Sequence, residues 1–192
     1  MSNNFKFMLK AIELSIQSAK TKGGPFGCVI VKDNQIIAEG NNQVTASNDP
    51  TAHAEIVAIR NACKKLGDFF LKGCDLYTSC EPCPMCLSAI YWSHVDNIFY
   101  ANTRMDAADI DFDDSLIYSE ISKDIDKRKI KMKQMNRDEA LKAFKIWQNK
   151  EDKIKSVSYT HLVNHAPCVY QQYIGLMLII FIMLIPEWTQ KI

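Results

Sequence analysis

Tyr77-Thr-Ser-Cys-Glu-Pro-Cys-Pro-Met-Cys86 holds a strand end and a helix start within one short stretch. The run from Cys74 to Ser79 reads as a strand. Pro84 opens a helix through Trp92, because the proline ring presets φ and the amide it lacks would be unpaired at a first helical position. Cys83 and Cys86 then sit at a Cys-x-x-Cys spacing on a helix N-terminus, where both sulfurs can face one point and the helix dipole favours thiolates. Upstream, Asn48-Asp-Pro-Thr-Ala-His-Ala-Glu55 has the same form. Thr51 is the expected cap of a helix ending before Gly67, with His53 and Glu55 in its first turn.

The rest of the chain builds outward from these two helix starts. Val95 to Ala101 gives a strand after the cysteine helix. Near the N-terminus, Phe7, Ala11 and Leu14 roughly follow a helical period over residues 4–20, and Gly23-Gly24-Pro25 stops it. Phe26 to Val31 and Ile36 to Glu39 flank Lys32-Asp33-Asn34-Gln35, where Asp-Asn tolerates positive φ, so a hairpin is expected. A polar loop runs from Thr45 to Pro50. An Asp-rich loop over residues 102–117, a short strand near Ile130 to Met132 and a helix over 137–150 complete the pattern. The order α-β-β-α-β-α-β, with the later strand and helix, predicts a three-layer α/β/α fold with a mixed five-stranded sheet.

The 192 residues suit one well-buried domain, and 47% hydrophobic with 23% charged residues is a globular composition. The net charge of +1 supplies no field to draw in a polyanion, so a small uncharged substrate suits the chain better than nucleic acid. Seven cysteines, an odd number, without an apolar leader in residues 1–20, imply a reducing, cytoplasmic setting. In that compartment cysteines bind metal, react or fill core space, and the last is expected of Cys28, Cys63, Cys74 and Cys80.

His53, Cys83 and Cys86 together make a catalytic zinc site, because three protein ligands leave the fourth tetrahedral position to water. Zinc brings that water toward hydroxide near neutral pH. Glu55, two residues from the histidine, can take the proton, return it to a ring nitrogen and then to a leaving amine. A lone Cys-x-x-Cys is often a structural zinc knuckle or a redox pair, and a lone His-x-Glu is an ordinary polar first turn. Their conjunction is the signature of the zinc deaminases. An inactive zinc-binding scaffold is the alternative from another class, and Glu55 weighs against it, since a scaffold needs no proton carrier.

With Gly23-Gly-Pro-Phe-Gly27, and with Leu-Ser-Ala-Ile-Tyr-Trp92 continuing the cysteine run, residues 5–153 resemble the bacterial guanine deaminases of the cytidine deaminase-like superfamily. The Gly23–Gly27 and Asn48–Glu55 runs are shared with related deaminases. Phe112-Asp-Asp-Ser115 is similar to the guanine deaminase segment that carries an acidic residue into the pocket. The resemblance implies one Zn2+ per subunit and hydrolysis of guanine to xanthine and ammonia in purine salvage or catabolism. It implies a second catalytic carboxylate, Asp114, beside Glu55. Asn42 would read the polar edge of the base, the Ala54 amide would hold a carbonyl oxygen, and Phe26, Phe112 and Trp92 would pack on the ring.

The implied assembly is a homodimer with exchanged C-terminal segments and no nucleic-acid or membrane partner. Cytosine and guanosine are rival substrates, because those enzymes differ in pocket shape more than in catalytic groups. A tRNA adenosine deaminase would want a basic surface. Asp114 also fits a solvated acidic run, Asn42 a strand end, and Phe112 and Trp92 ordinary core packing.

Residues 1–155 are thus expected to form the deaminase domain, and 156–192 an artefactual or disordered tail outside the resemblance. Ser156-Val-Ser-Tyr-Thr-His-Leu162 looks like translated sequencing-adapter read-through. The apolar stretch Ile174 to Ile185 would be about 18 Å long as a helix, too short for a ~30 Å hydrocarbon core.

Overall fold

Asp33 and Asn34 take left-handed φ of 48° and 59°, closing β1 (Gly27–Lys32) against β2 (Gln35–Asn41) with the expected tight turn. The computed structural model describes residues 3–154 and 156. β1 also pairs antiparallel with β3 (Cys74–Cys80), and β3 pairs parallel with β4 (Asn97–Asn102), giving a mixed four-stranded sheet in the order β2-β1-β3-β4.

Side chains alternate across the sheet with the strand period of two. Val29 and Val31 join Tyr77 beneath α1 (Asn3–Ala19), whose Phe7 and Ala11 are buried there. Cys28 and Ile30 turn to the opposite face, where Cys74 and Leu76 meet Ala54, Ala58 and Ala62 of α3 (Ala54–Leu66) and Ile90 of α4 (Pro84–Ser93). A short helix, α2 (Val44–Ser47), lies in the stretch read as a polar loop. α3 stops at Gly67, which takes φ 66° as its left-handed cap.

Gly40 sets how closely α3 sits on the sheet. A Cβ there would lie 2.2 Å from the Ala54 carbonyl oxygen and 2.6 Å from the Ala58 nitrogen, so only glycine lets β2 approach the first turns of α3.

Three expectations are corrected. Among the described residues the sheet has four strands, because Ile130 to Met132 is irregular and exposed, with Ile130 82% accessible. Lys129, Lys131 and Lys133 alternate with its apolar residues, and no neighbouring strand offers it a ladder. The Asp-rich loop contains α5 (Arg104–Ala108), started by a capping box between Thr103 and Asp106, and α6 (Ser115–Ile121). Thr51 does not cap α3; its amide and hydroxyl both donate to Asp49, and His53 takes the N-cap position.

The helix expected over 137–150 is α7 (Arg137–Asn149), which buries none of its residues. The chain divides into two units, Met1–Asp152 and Lys153–Ile192. The second lies almost wholly outside the described residues, as does the apolar stretch 174–185. Among the described residues no helix is long and apolar enough to cross a membrane.

Candidate active site

Strand direction gathers the candidate residues at one end of the sheet. β3 delivers Cys83 just beyond its C-terminal end, and β4, parallel to it, delivers Arg104. β1 runs the other way, so Phe26 precedes it at the same end, and β2 leaves toward Asn42. All four residues line one cleft of about 450 Å³, within the range of small-molecule sites.

The N-termini of α3 and α4 meet at this cleft. His53 and Cys83 hold the two N-cap positions with extended backbones (ψ 158° and 167°), yet neither side chain caps its helix. Serine, threonine or aspartate would normally stand there to satisfy the free amides. Here both side chains turn to each other: His53 Nδ1 is 3.6 Å from Cys83 Sγ and 3.5 Å from Cys86 Sγ. Zinc bonds of ~2.0 Å to nitrogen and ~2.3 Å to sulfur at a tetrahedral angle would separate nitrogen from sulfur by roughly 3.5 Å. The three ligand atoms lie within 4.8 Å of one another, close enough to share one ion.

The local electrostatics also favour a cation. A hydrogen bond from the Cys86 thiol, aided by His53, brings Cys83 down to about 4 against the opposing pull of burial. Cys86 holds its proton far more tightly, through the same hydrogen bond and its burial. Hydrogen bonding to Cys83 raises the His53 imidazole. Near neutral pH protons thus compete with metal at Cys86 and His53, while Cys83 already stands as a thiolate.

Glu55 is only 6% exposed, and burial pushes its carboxyl above the usual range. Its Oε1 accepts a hydrogen bond from Thr78 at 3.3 Å and its Oε2 from the Cys86 thiol at 3.4 Å. Asn42 is buried too, and its Oδ1 accepts from the Val44 amide at 3.2 Å, which leaves its NH₂ as a donor. Ala54, the first residue of α3, brings one of the helix's unpaired amides.

The opposite wall comes from the segment between β4 and α6. Phe112 meets Phe26 edge to face, with ring centroids 4.9 Å apart. Asp113 is occupied by the Ser115 amide and hydroxyl, whereas Asp114, at the N-cap of α6, makes no capping bond and lines the cleft. Partial burial, with the Cys83 thiolate nearby, raises the Asp114 carboxyl.

Trp92 is the correction. It is 56% exposed and is not part of the cleft wall. Six residues past Cys86 on a helix of ~100° per residue, it points about 120° around the axis from the inward-facing sulfur. Residues that sequence reasoning passed over include Thr78, Glu81 and Arg104. Glu81 accepts the Arg104 amide, and the Arg104 guanidinium lies over the Tyr118 ring at 4.8 Å. Thr78 and Glu81 both stand inside the cysteine run, whereas Arg104 stood near no sequence signal.

Residues 1–102 match the family described as the cytidine and deoxycytidylate deaminase zinc-binding region. The chain belongs to that zinc-binding deaminase family. Within it, the chain is similar to guanine deaminase of Bacillus subtilis (strain 168), 54% identical over 148 residues that span 77% of this chain and 95% of that protein. The X-ray structure of guanine deaminase from Bacillus subtilis superposes with a TM-score of 0.79 at 51% identity, covering 82% of this chain and all of that one. A tRNA-specific adenosine deaminase of Aquifex aeolicus is 39% identical over 97 residues, 50% of this chain and 64% of that protein.

Proposed function

We propose that this protein is a zinc-dependent guanine deaminase that hydrolyses guanine to xanthine and ammonia. The observation that carries the reading is the likeness to guanine deaminase over nearly that enzyme's whole length, including the segment bearing Phe112 and Asp114. The likeness to the tRNA deaminase covers only about half of this chain.

In this reading His53, Cys83 and Cys86 hold the zinc, which supplies an activated water at its open position. Glu55 accepts the water proton and passes it to the purine ring and then to the departing amine. Burial raises its carboxyl, the direction that suits a group which must hold a proton between taking and giving it. Asn42 donates its NH₂ to an acceptor on the base, since its oxygen is already engaged. The Ala54 amide holds a carbonyl oxygen, Phe26 and Phe112 pack on the ring, and Asp114 assists the leaving amine.

Residues 1–155 form the deaminase domain, and 156–192 lie outside it. The free cysteines among the described residues fit a cytoplasmic setting. The protein works as a homodimer whose C-terminal segments are exchanged, which would cover the apolar side chains that α7 exposes, Phe144, Ile146 and Trp147. Analytical ultracentrifugation tests the dimer, and a monomer at micromolar concentration would remove it from the reading.

The substrate is tested by following xanthine and ammonia with guanine, guanosine, cytosine and tRNA offered separately. Guanine should be turned over fastest, and Glu55→Gln should keep its zinc and only a small residual turnover. Faster turnover of any of the other three would overturn guanine as the substrate.

A further inference from the structure

Along the face of β3 that meets α3, the side chains read Cys74, Leu76, Thr78, Cys80. Thr78 interrupts a stripe of apolar and thiol groups. It is 1% exposed, and a hydroxyl buried that deeply needs a partner. Its partner is Oε1 of Glu55, 3.3 Å away, contributed by an element 23 residues earlier in the chain.

We propose that Thr78 is the positioning residue of the proton carrier: its hydroxyl holds one oxygen of Glu55 and leaves the other turned to the metal ligands. The inference rests on the guanine deaminase reading of the site.

The two anchors of the carboxylate differ in permanence. Cys86 donates to Oε2 only as a thiol, and a cysteine that ligates zinc gives up that proton. The Thr78 hydroxyl is untouched by metal loading, so in the working enzyme it is the side-chain donor that persists. Its position is also the stiffer of the two. Thr78 lies in the interior of the sheet, paired with Cys28 on one side and Tyr100 on the other, and its β-branched side chain has restricted χ1. Glu55 hangs on a longer, freer side chain from a first helical turn.

With Oε1 fixed as an acceptor, the proton that Glu55 takes up resides on Oε2. The protonated acid still offers Oε1 to Thr78 as a carbonyl oxygen. One geometry therefore serves both halves of the proton transfer, with no rotation of the carboxyl between them.

The test compares Thr78→Val, which keeps shape and removes the donor, with Thr78→Ser, which keeps the donor. For zinc-loaded Thr78→Val, kcat on guanine should fall about tenfold to a hundredfold, the range of a misplaced catalytic group. KM, zinc content and the calorimetric Kd for 8-azaguanine should stay at wild-type values, and Thr78→Ser should recover most of kcat. Added to Glu55→Gln, Thr78→Val should cost nothing further.

Wild-type kcat in Thr78→Val, equal losses in the two variants, or a further loss on the Glu55→Gln background would overturn the proposal. If Thr78→Val does not accumulate as folded protein, Thr78→Ala is read in the same way. A wild-type enzyme inactive on guanine would instead strike the substrate reading, and the same variants would then be compared on whichever base it accepts.

Discussion

The two walls of the cleft are built differently. The metal wall is set by two helix N-termini docked on the sheet, and Cys86 and Glu55 are buried there between α3, α4 and β3. The facing wall, from Thr103 to Ile121, consists of two short helices that bury no residue, touching the metal wall through the Phe112–Phe26 contact and the anchors around Thr103 and Glu81. The chemistry common to the family sits on the rigid side. Of the residues read as meeting the base, Phe112 and Asp114 sit on the side that can vary without unfolding the core, whereas Asn42, Ala54 and Phe26 belong to the sheet side.

That contrast predicts effects of decreasing size. Cys83→Ala should abolish turnover and zinc retention together, as read by metal analysis. Retained zinc with full activity would mean that the three-ligand site is misassigned. Asp114→Asn should keep its zinc and lose roughly tenfold to a hundredfold in kcat on guanine, as for a general acid–base group. Zinc loss in that variant would erase the distinction between the walls. Phe112→Ala should raise KM by about tenfold or less, in line with ~0.5–1.5 kcal/mol for an aromatic pair. Its melting temperature should hardly move, because Phe112 is half-exposed.

The smallest effect is a pH dependence. Burial raises the Glu55 carboxyl, so folding favours its protonated form. That advantage is full below the unfolded-state pKa and is lost as pH rises through the folded one. Chelator-treated Glu55→Gln should therefore match wild type in acid and become the more stable protein toward neutral pH, measured by thermal melts. Parallel melting curves at all pH values would refute it.

The metal wall was legible in sequence because zinc dictates residue type and spacing, and His53, Glu55, Cys83 and Cys86 lie in two contiguous runs. The hairpin was legible for a similarly local reason, the tolerance of Asp33 and Asn34 for positive φ. Trp92 was misplaced because its membership in the run says nothing about helical phase. Thr103-x-x-Asp106 was a readable helix start hidden among acidic residues. Thr78 stood inside the cysteine run but its partner, Glu55, comes from another element, and Arg104 carried no local signal at all. Ile130 to Met132 had a strand's alternation but found no sheet edge.

The unused caps at His53 and Cys83 have a consequence for how the molecule breathes. In each helix the side chain that would have tied down the opening amides has been committed to the site instead. A single ion would then close off two helices at once, making their first turns one cooperative unit. Amide hydrogen exchange should register this as a joint event: on chelation, the opening turns of α3 and α4 should lose protection in step, while the centre of the sheet keeps its own pace.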